Sequence, residues 1–144
     1  MTNNLESRFK FKEIEGKQHI YDTLRNKYIL LTPEEWVRQN MLWSLINELK
    51  YPKSLIKLEG GLNYNKLQKR TDIVVFDRTG KPFLLVECKA QEVPIDQKVV
   101  EQASRYNLIH KAPYICVTNG VKTFCFHIDF ENNKTTQLKQ LPDF

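Results

Sequence analysis

Three side chains that could assist phosphodiester cleavage lie on two neighbouring apolar segments of the chain. Asp72 stands near the start of segment 71–77, and Glu87 and Lys89 stand near the end of segment 82–90. Cleavage of a phosphodiester needs an activated water and stabilisation of negative charge, and a divalent ion held by carboxylates provides both. An ammonium group on the same face would orient the water or offset the developing charge. These residues therefore predict a metal-dependent phosphodiesterase site.

The turn 78–81 between the two segments decides how their side chains face one another. A hairpin folded about this turn places Asp77 opposite Pro82 and Asp72 opposite Glu87. Opposed side chains on antiparallel strands have Cβ atoms about 4.5–5.5 Å apart, a separation at which like charges repel. Because strand side chains alternate between faces, Glu87 and the lysine two residues later share the face of Asp72. A β-bulge would shift this register by one residue and still leave the groups in one small region.

A plain ion cluster is the alternative interpretation of these residues. In that case Lys89 neutralises both carboxylates at the end of a sheet, and the cluster has no catalytic role. The pattern of an acid two residues before a lysine also occurs at 48–50 and 96–98, within segments predicted to be helical. The short motif is therefore not specific, and only the copy ending at Lys89 lies on a predicted strand with an acid opposite.

The available ligands favour Mg²⁺ or Mn²⁺ as the metal. Asp72 and Glu87 offer hard oxygen ligands, and the backbone carbonyl of Cys88 is a candidate third ligand from the protein. The cysteines are predicted to be buried free thiols. The histidines form no zinc-like cluster and the cysteines have no metal-type spacing; they are His19, His110, His127, Cys88, Cys116 and Cys125.

Gln102 and Tyr106 lie four residues apart on a predicted helix and therefore on one of its faces. They could contact a nucleic-acid backbone or position Lys89. The alternative is that Tyr106 packs in the core beside Val99 and Ile109, because an aromatic residue at helical spacing is most often part of a core.

Local patterns predict the elements that position these side chains. Thr32 as N-cap, Pro33 at the first helical position and Glu35 three residues after the cap predict a helix that runs to about residue 50. Asp96 caps a second helix that runs to about residue 111. Both faces of the hairpin 73–86 are apolar, which places it inside a sheet with helices on both sides. Further strands are predicted at 55–59, 114–118 and 122–128, and a hairpin at 19–22 and 27–31.

The predicted fold class is α/β, with a central mixed β-sheet flanked by helices and an N-terminal β-hairpin addition. We expect a single domain over residues 1–144, with a core at about 32–128 and loosely ordered ends at 1–8 and 131–144. The net charge of +5 favours a polyanionic partner, with DNA or RNA as the natural candidates. The sequence has neither a membrane-spanning apolar stretch nor a signal-peptide pattern, so we expect a cytoplasmic protein.

Several segments together resemble a known enzyme family. Arg70-Thr71-Asp72, Glu87-Cys88-Lys89 and Gln102-x-x-x-Tyr106, in this order, resemble the PD-(D/E)xK nuclease superfamily in its Gln-x-x-x-Tyr branch. Segments 31–39, 70–75, 86–90 and 102–107 more closely resemble proteins related to the N-terminal nuclease domain of type I restriction enzyme R subunits. The likeness spans about residues 20–128.

The resemblance implies a restriction-endonuclease-like core with a DNA-cleaving site. It implies that Asp72 and Glu87 are metal ligands, that Lys89 is catalytic, and that Gln102 and Tyr106 are auxiliary site residues. A helix-borne glutamate, Glu35 or Glu34, often joins such sites. Thr71 replaces the proline of the superfamily name and leaves the metal-binding Asp72 in place. The basic stretch 66–70 leads into the same strand.

One departure from the family leaves the task of the chain open. Type I R subunits carry an ATP-driven DNA motor, and this sequence has no Gly-x-x-x-x-Gly-Lys-Ser/Thr phosphate loop. We therefore expect a partner protein that supplies a motor or specificity. The alternatives are a catalytically inactive nucleic-acid-binding or assembly module with the nuclease fold, and a nuclease directed at RNA.

Overall fold

A small antiparallel sheet opens the structure. The computed structural model describes residues 8–58 and 72–144. Strands β1 (Phe11–Ile14), β2 (Lys17–Asp22) and β3 (Lys27–Leu30) pair in sequence order. Asp22 Oδ1 turns the chain between β2 and β3, since it accepts hydrogen bonds from the backbone N–H groups of Leu24 (2.8 Å) and Arg25 (3.0 Å). The N-terminal hairpin predicted at 19–31 is confirmed, whereas the loose order predicted for residues 1–8 falls almost wholly outside the described residues.

Helix α1 (Pro33–Trp43) packs between the small sheet and a larger one. The predicted cap is confirmed, because Thr32 Oγ1 accepts a hydrogen bond of 3.0 Å from the backbone N–H of Glu35. Trp36 packs against the small-sheet side, with its ring 5.4 Å from that of Phe9. A π-helical turn (Ser44–Glu48) follows, so the regular α-helix ends earlier than predicted. No helix in residues 8–58 or 72–144 is long and apolar enough to cross a membrane.

The larger sheet contains six strands in sequence order within the described residues: β4 (Ile56–Leu58), β5 (Ile73–Phe76), β6 (Pro82–Cys88), β7 (Tyr114–Thr118), β8 (Thr123–Asp129) and β9 (Lys134–Leu138). Neighbouring strands are antiparallel except β6 and β7, which are parallel. A parallel pair needs a crossover, and helix α2 (Gln97–His110) supplies it. The predicted α/β class with a mixed sheet is confirmed and is consistent with a restriction-endonuclease-like core.

Both faces of the central hairpin are buried, as its apolar pattern predicts. Alternate residues of β5, β6 and β7 pack with α1 on one face, and the intervening residues form a second core beside α2. The first core includes Val37, Met41, Leu45, Val75, Leu84, Val86 and Cys88. The second includes Val74, Leu85, Ala112 and Ile115.

The prediction of a loosely ordered tail at residues 131–144 is wrong. Lys134–Leu138 forms β9 on the edge of the larger sheet, so the core extends past the predicted limit at 128. Beyond β9, the Tyr51 hydroxyl donates a 2.5 Å hydrogen bond to the carbonyl of Pro142, and the rings of Tyr51 and Phe144 lie 5.4 Å apart. The sequence of β9, Lys-Thr-Thr-Gln-Leu, is nearly all polar, because an edge strand can face water. It therefore lacks the alternation of apolar and polar residues from which a strand is predicted.

The hairpin register is regular in its middle and irregular near the turn. Ile73 pairs with Val86 and Val75 with Leu84, as predicted. A bulge between Val75 and Phe76 then places Phe76 opposite Pro82. The predicted pairing of Asp77 with Pro82 is therefore wrong.

Asn107 fastens the end of α2 to the start of the next segment. Its Nδ2 donates to the carbonyl of Ala112 and its Oδ1 accepts from the N–H of the same residue, both at 2.9 Å, and both residues are buried. Asn107→Ala leaves two buried backbone groups without partners, so we expect unfolding free energy to fall by about 2–3 kcal/mol in urea titrations. The control is Asn47→Ala, which loses only an exposed hydrogen bond to Trp43 and should change stability by less than about 0.5 kcal/mol. Equal losses for the two variants would contradict this role.

Candidate metal and nucleic-acid site

Asp72 and Glu87 extend the regular part of the hairpin. Within the described residues, the backbone pairing of β5 with β6 ends at Ile73 and Val86, and the two acids occupy the next position on each strand. Both acids are 7% exposed. Asp72 Oδ2 also accepts a 2.6 Å hydrogen bond from the backbone N–H of Cys88, which ties its carboxylate across to β6.

Lys89 lies beside Glu87, with Nζ 3.3 Å from Glu87 Oε2. Its backbone is fixed as well, because its N–H donates to the carbonyl of Thr118 at 2.9 Å. The ammonium group is therefore held at the end of β6, next to one of the two acids.

Arg38 is a site residue that the sequence interpretation missed. Its Nη2 donates to Asp72 Oδ1 and its Nη1 donates to Glu35 Oε1, both in close contacts, and Nη2 lies 3.3 Å from Glu34 Oε2. Positions 34, 35 and 38 share one face of α1, since residues three and four apart are neighbours on a helix. Burial by itself lowers the pKa of Arg38, but the carboxylates of Asp72 and Glu35 outweigh it and raise the pKa above its ordinary value. Arg38 thus links both candidate helix glutamates to Asp72 as a permanent cation.

A second set of contacts connects this cluster to the small sheet. Gln39 Nε2 donates to Glu35 Oε2 at 2.8 Å and to Asp22 Oδ2 at 3.1 Å. Arg25 Nε donates to the same Asp22 oxygen at 2.8 Å, and its Nη2 lies 3.6 Å from Glu35 Oε2. Asp22 and Gln39 are buried. Acids and cations therefore alternate in this network, in the order Asp22, Arg25, Glu35, Arg38 and Asp72.

Gln102 and Tyr106 line an open cleft of about 250 Å³ with Glu87, Arg105 and Ile109. The structure thus brings the two predicted α2 residues to the acid at the end of β6. Ile109 is 78% exposed and Tyr106 is half-buried, so these two residues do not form a buried core pair. The Tyr106 ring lies 5.3 Å from the ring of His110.

The donor atoms fit a hard divalent ion with few protein ligands. Within residues 8–58 and 72–144, no group of three or more His, Cys, Asp or Glu side chains is arranged to hold a metal. Mg²⁺ is usually bound by one or two carboxylates together with waters and substrate phosphates, and Asp72 and Glu87 match that number and kind of protein ligand. Burial, with the nearby negative charge of Asp72, raises the pKa of the Cys88 thiol. The thiol is therefore protonated at neutral pH, and the backbone carbonyl is the group that Cys88 could offer.

The three cysteines are free and buried, as predicted. Thr71 and the basic stretch 66–70 lie outside the described residues.

The chain matches a known protein family. A family model described as type I restriction enzyme R protein N terminus matches residues 33–142, which include α1, the whole larger sheet and α2. None of the individually curated proteins matches the chain significantly.

Proposed function

The chain belongs to the family of type I restriction enzyme R protein N-terminal domains and is a nuclease-related domain, and we propose that it hydrolyses DNA phosphodiester bonds with the help of Mg²⁺ or Mn²⁺. One observation carries the proposal: Asp72 and Glu87 occupy adjacent positions at the end of one hairpin, with Lys89 Nζ 3.3 Å from Glu87. Two buried acids at this position are costly unless cations offset their charge.

Asp72, Glu87 and the carbonyl of Cys88 would hold the ion. When bound, it would make a water nucleophilic near neutral pH and offset charge on the phosphate. The ammonium group of Lys89 lies at the same end of β6, where it would orient the attacking water or a phosphate oxygen. Gln102 and Tyr106 line the cleft beside Glu87 and would hold the nucleic-acid backbone there.

A partner protein belongs to the proposal. The family name refers to the R protein of a type I restriction enzyme, and residues 1–144 contain no phosphate-loop motif. We propose that a partner chain supplies the motor or the sequence specificity. The net charge of +5 supports association with DNA.

Cleavage of supercoiled and linear DNA in Mg²⁺ or Mn²⁺ tests the proposal. We expect Lys89→Gln to cut about 100-fold more slowly than the wild type, because the variant loses the cation beside Glu87. Lys98→Gln is the matched control: Lys98 is exposed on α2, and its replacement should leave the rate within about twofold. Equal rates for all three proteins would indicate a contaminating nuclease and would contradict the proposed site.

A catalytically inactive binding or assembly module is the second candidate. It is favoured by the pairing of Asp72 with Arg38, which already neutralises one of the two acids. Binding of DNA in Mg²⁺ without cleavage of any DNA or RNA substrate would support this candidate. RNA cleavage that an excess of DNA does not inhibit would support the RNA-directed alternative.

A further inference from the structure

We infer that Arg38 is an internal cation that competes with the divalent metal ion for Asp72, and that a phosphate of the substrate relieves this competition by binding the guanidinium group. The inference rests on the proposed function, because it assumes that Asp72 is a metal ligand. It assigns Arg38 a role in deciding when the metal binds.

Both carboxylate oxygens of Asp72 already accept a hydrogen bond. Its Oδ1 accepts from Arg38 Nη2 and its Oδ2 accepts from the backbone N–H of Cys88. An ion binding at Oδ1 would meet a guanidinium group on the same atom, in a buried site where charges are weakly screened. Repulsion between the two cations therefore lowers metal affinity as long as Arg38 remains on Asp72.

The charge of the whole cluster gives the sign of the effect. Four carboxylates and two cations carry a net charge of −2, which the adjoining ion pair of Asp22 and Arg25 leaves unchanged, and loss of the Arg38 guanidinium group would make it −3. A more negative cluster binds a divalent ion more tightly. The members are Glu34, Glu35, Asp72 and Glu87 with Arg38 and Lys89.

Arg38 lies close enough to the surface to exchange Asp72 for another anion, while a metal ion would take its place as the cation on Asp72. Its side chain is 14% exposed, and its buried Nε has no hydrogen-bond partner among the described residues. Glu35 keeps its 2.8 Å hydrogen bond from Gln39 when Arg38 moves. The planar fork of an arginine fits a phosphate as well as it fits a carboxylate, so a phosphate oxygen near the cluster can accept the same two N–H groups.

Metal and nucleic acid therefore bind cooperatively. A phosphate that draws Arg38 away raises the affinity of Asp72 for the metal, and by linkage the metal raises the affinity for the nucleic acid by the same factor. The site then takes up its metal when substrate is present and holds it weakly when substrate is absent.

Calorimetric titration of Mn²⁺, with and without a short phosphorothioate DNA duplex that resists cleavage, tests the inference. For the wild type we expect the duplex to tighten Mn²⁺ binding about tenfold or more. Arg38→Gln should bind Mn²⁺ about tenfold more tightly than the wild type without DNA, and should gain less than about threefold from the duplex. The control Arg78→Gln removes the same charge from the exposed turn between β5 and β6, at the other end of the hairpin from Asp72 and Glu87, and should retain the wild-type dependence on the duplex.

Arg38→Lys provides a second test should the glutamine variant be unstable. It keeps the charge but loses the planar fork, so Mn²⁺ affinity without DNA should lie between those of the wild type and Arg38→Gln. Mn²⁺ affinities that are equal in the wild type and both variants would overturn the inference while leaving the proposed metal site intact. Absence of Mn²⁺ binding in all proteins, with and without duplex, would overturn the proposed function together with this inference.

Discussion

Asp72→Asn is expected to reduce DNA cleavage by about 10²–10³-fold and to abolish Mn²⁺ binding. The amide has nearly the same shape as the carboxylate, and its oxygen can still accept the hydrogen bond from the N–H of Cys88. It has no negative charge, however, and is a poor ligand for a hard divalent ion. Cleavage rates on supercoiled DNA and calorimetric Mn²⁺ titrations measure the two effects.

The matched control for this variant lies on the same hairpin. Asp77 accepts hydrogen bonds from Thr79 and Lys81 at the exposed turn, so Asp77→Asn changes the same chemical group away from the site. It should cleave DNA within about twofold of the wild type. Urea unfolding of both variants separates loss of the site from loss of the fold. An Asp72→Asn protein that is folded and keeps more than a tenth of wild-type activity would contradict the metal-ligand role.

Asp22→Ala is expected to lower the free energy of unfolding by about 3 kcal/mol. Asp22 is fully buried and accepts hydrogen bonds from the backbone of Leu24 and from both the backbone and the side chain of Arg25. A fourth comes from Gln39, which also donates to Glu35. Removal of the carboxylate leaves the backbone N–H groups of Leu24 and Arg25 without this acceptor and breaks the hydrogen bond between the small sheet and Gln39 of α1. Urea unfolding followed by circular dichroism gives the loss.

A similar turn on the surface supplies the control. Asp129 accepts hydrogen bonds from the backbone and side chain of Asn132 in an exposed turn. Asp129→Ala should cost less than about 1 kcal/mol, because water replaces the lost acceptor. If the two alanine variants lose the same free energy of unfolding, the buried network around Asp22 stabilises the fold no more than the exposed turn at Asp129 does.

The Asp22 network also predicts how stability depends on pH. Burial raises the pKa of Asp22, but the hydrogen bonds from Arg25 and Gln39 and the charge of Arg25 outweigh burial and hold the pKa below its ordinary value. A lowered folded-state pKa stabilises the fold fully above the unfolded value of about 3.9, and this contribution is lost as pH falls through the folded value. Asp22→Asn removes the ionisable group, so its loss of stability in acid should be shallower than that of the wild type.

Local signals explain which parts of the fold could be predicted from the sequence. The caps at Thr32 and Asp96 depend on residues within one helical turn, and both hydrogen bonds are present. The central hairpin depends on a short turn and a continuous apolar pattern, and its middle register is as predicted. The polar strand β9 has no such pattern, because its pairing with β8 is what holds it in the sheet.

The residues of the candidate site also fall into those that could be predicted from the sequence and those that could not. Asp72, Glu87 and Lys89 could be found from strand register and spacing, because neighbouring strands bring them together. The contact of Arg38 with Asp72 joins residues that are 34 positions apart and depends on how α1 packs over the sheet. Gln39 joins Asp22 to Glu35 for the same reason. Periodicity predicts that a helix exists, but it does not predict which of its polar residues meets a distant strand.

Because of the bulge between Val75 and Phe76, the length of the turn does not affect the spacing of Asp72 and Glu87. The irregular pairing lies on the turn side of the hairpin, and the pairs leading to Asp72 and Glu87 are regular. An inserted residue in the exposed turn 77–81 can be accommodated at the bulge, which already takes up one unmatched residue. This turn is therefore a suitable place for a fluorescent label, an affinity tag or a fused domain, since lengthening it leaves the spacing of the two carboxylates unchanged.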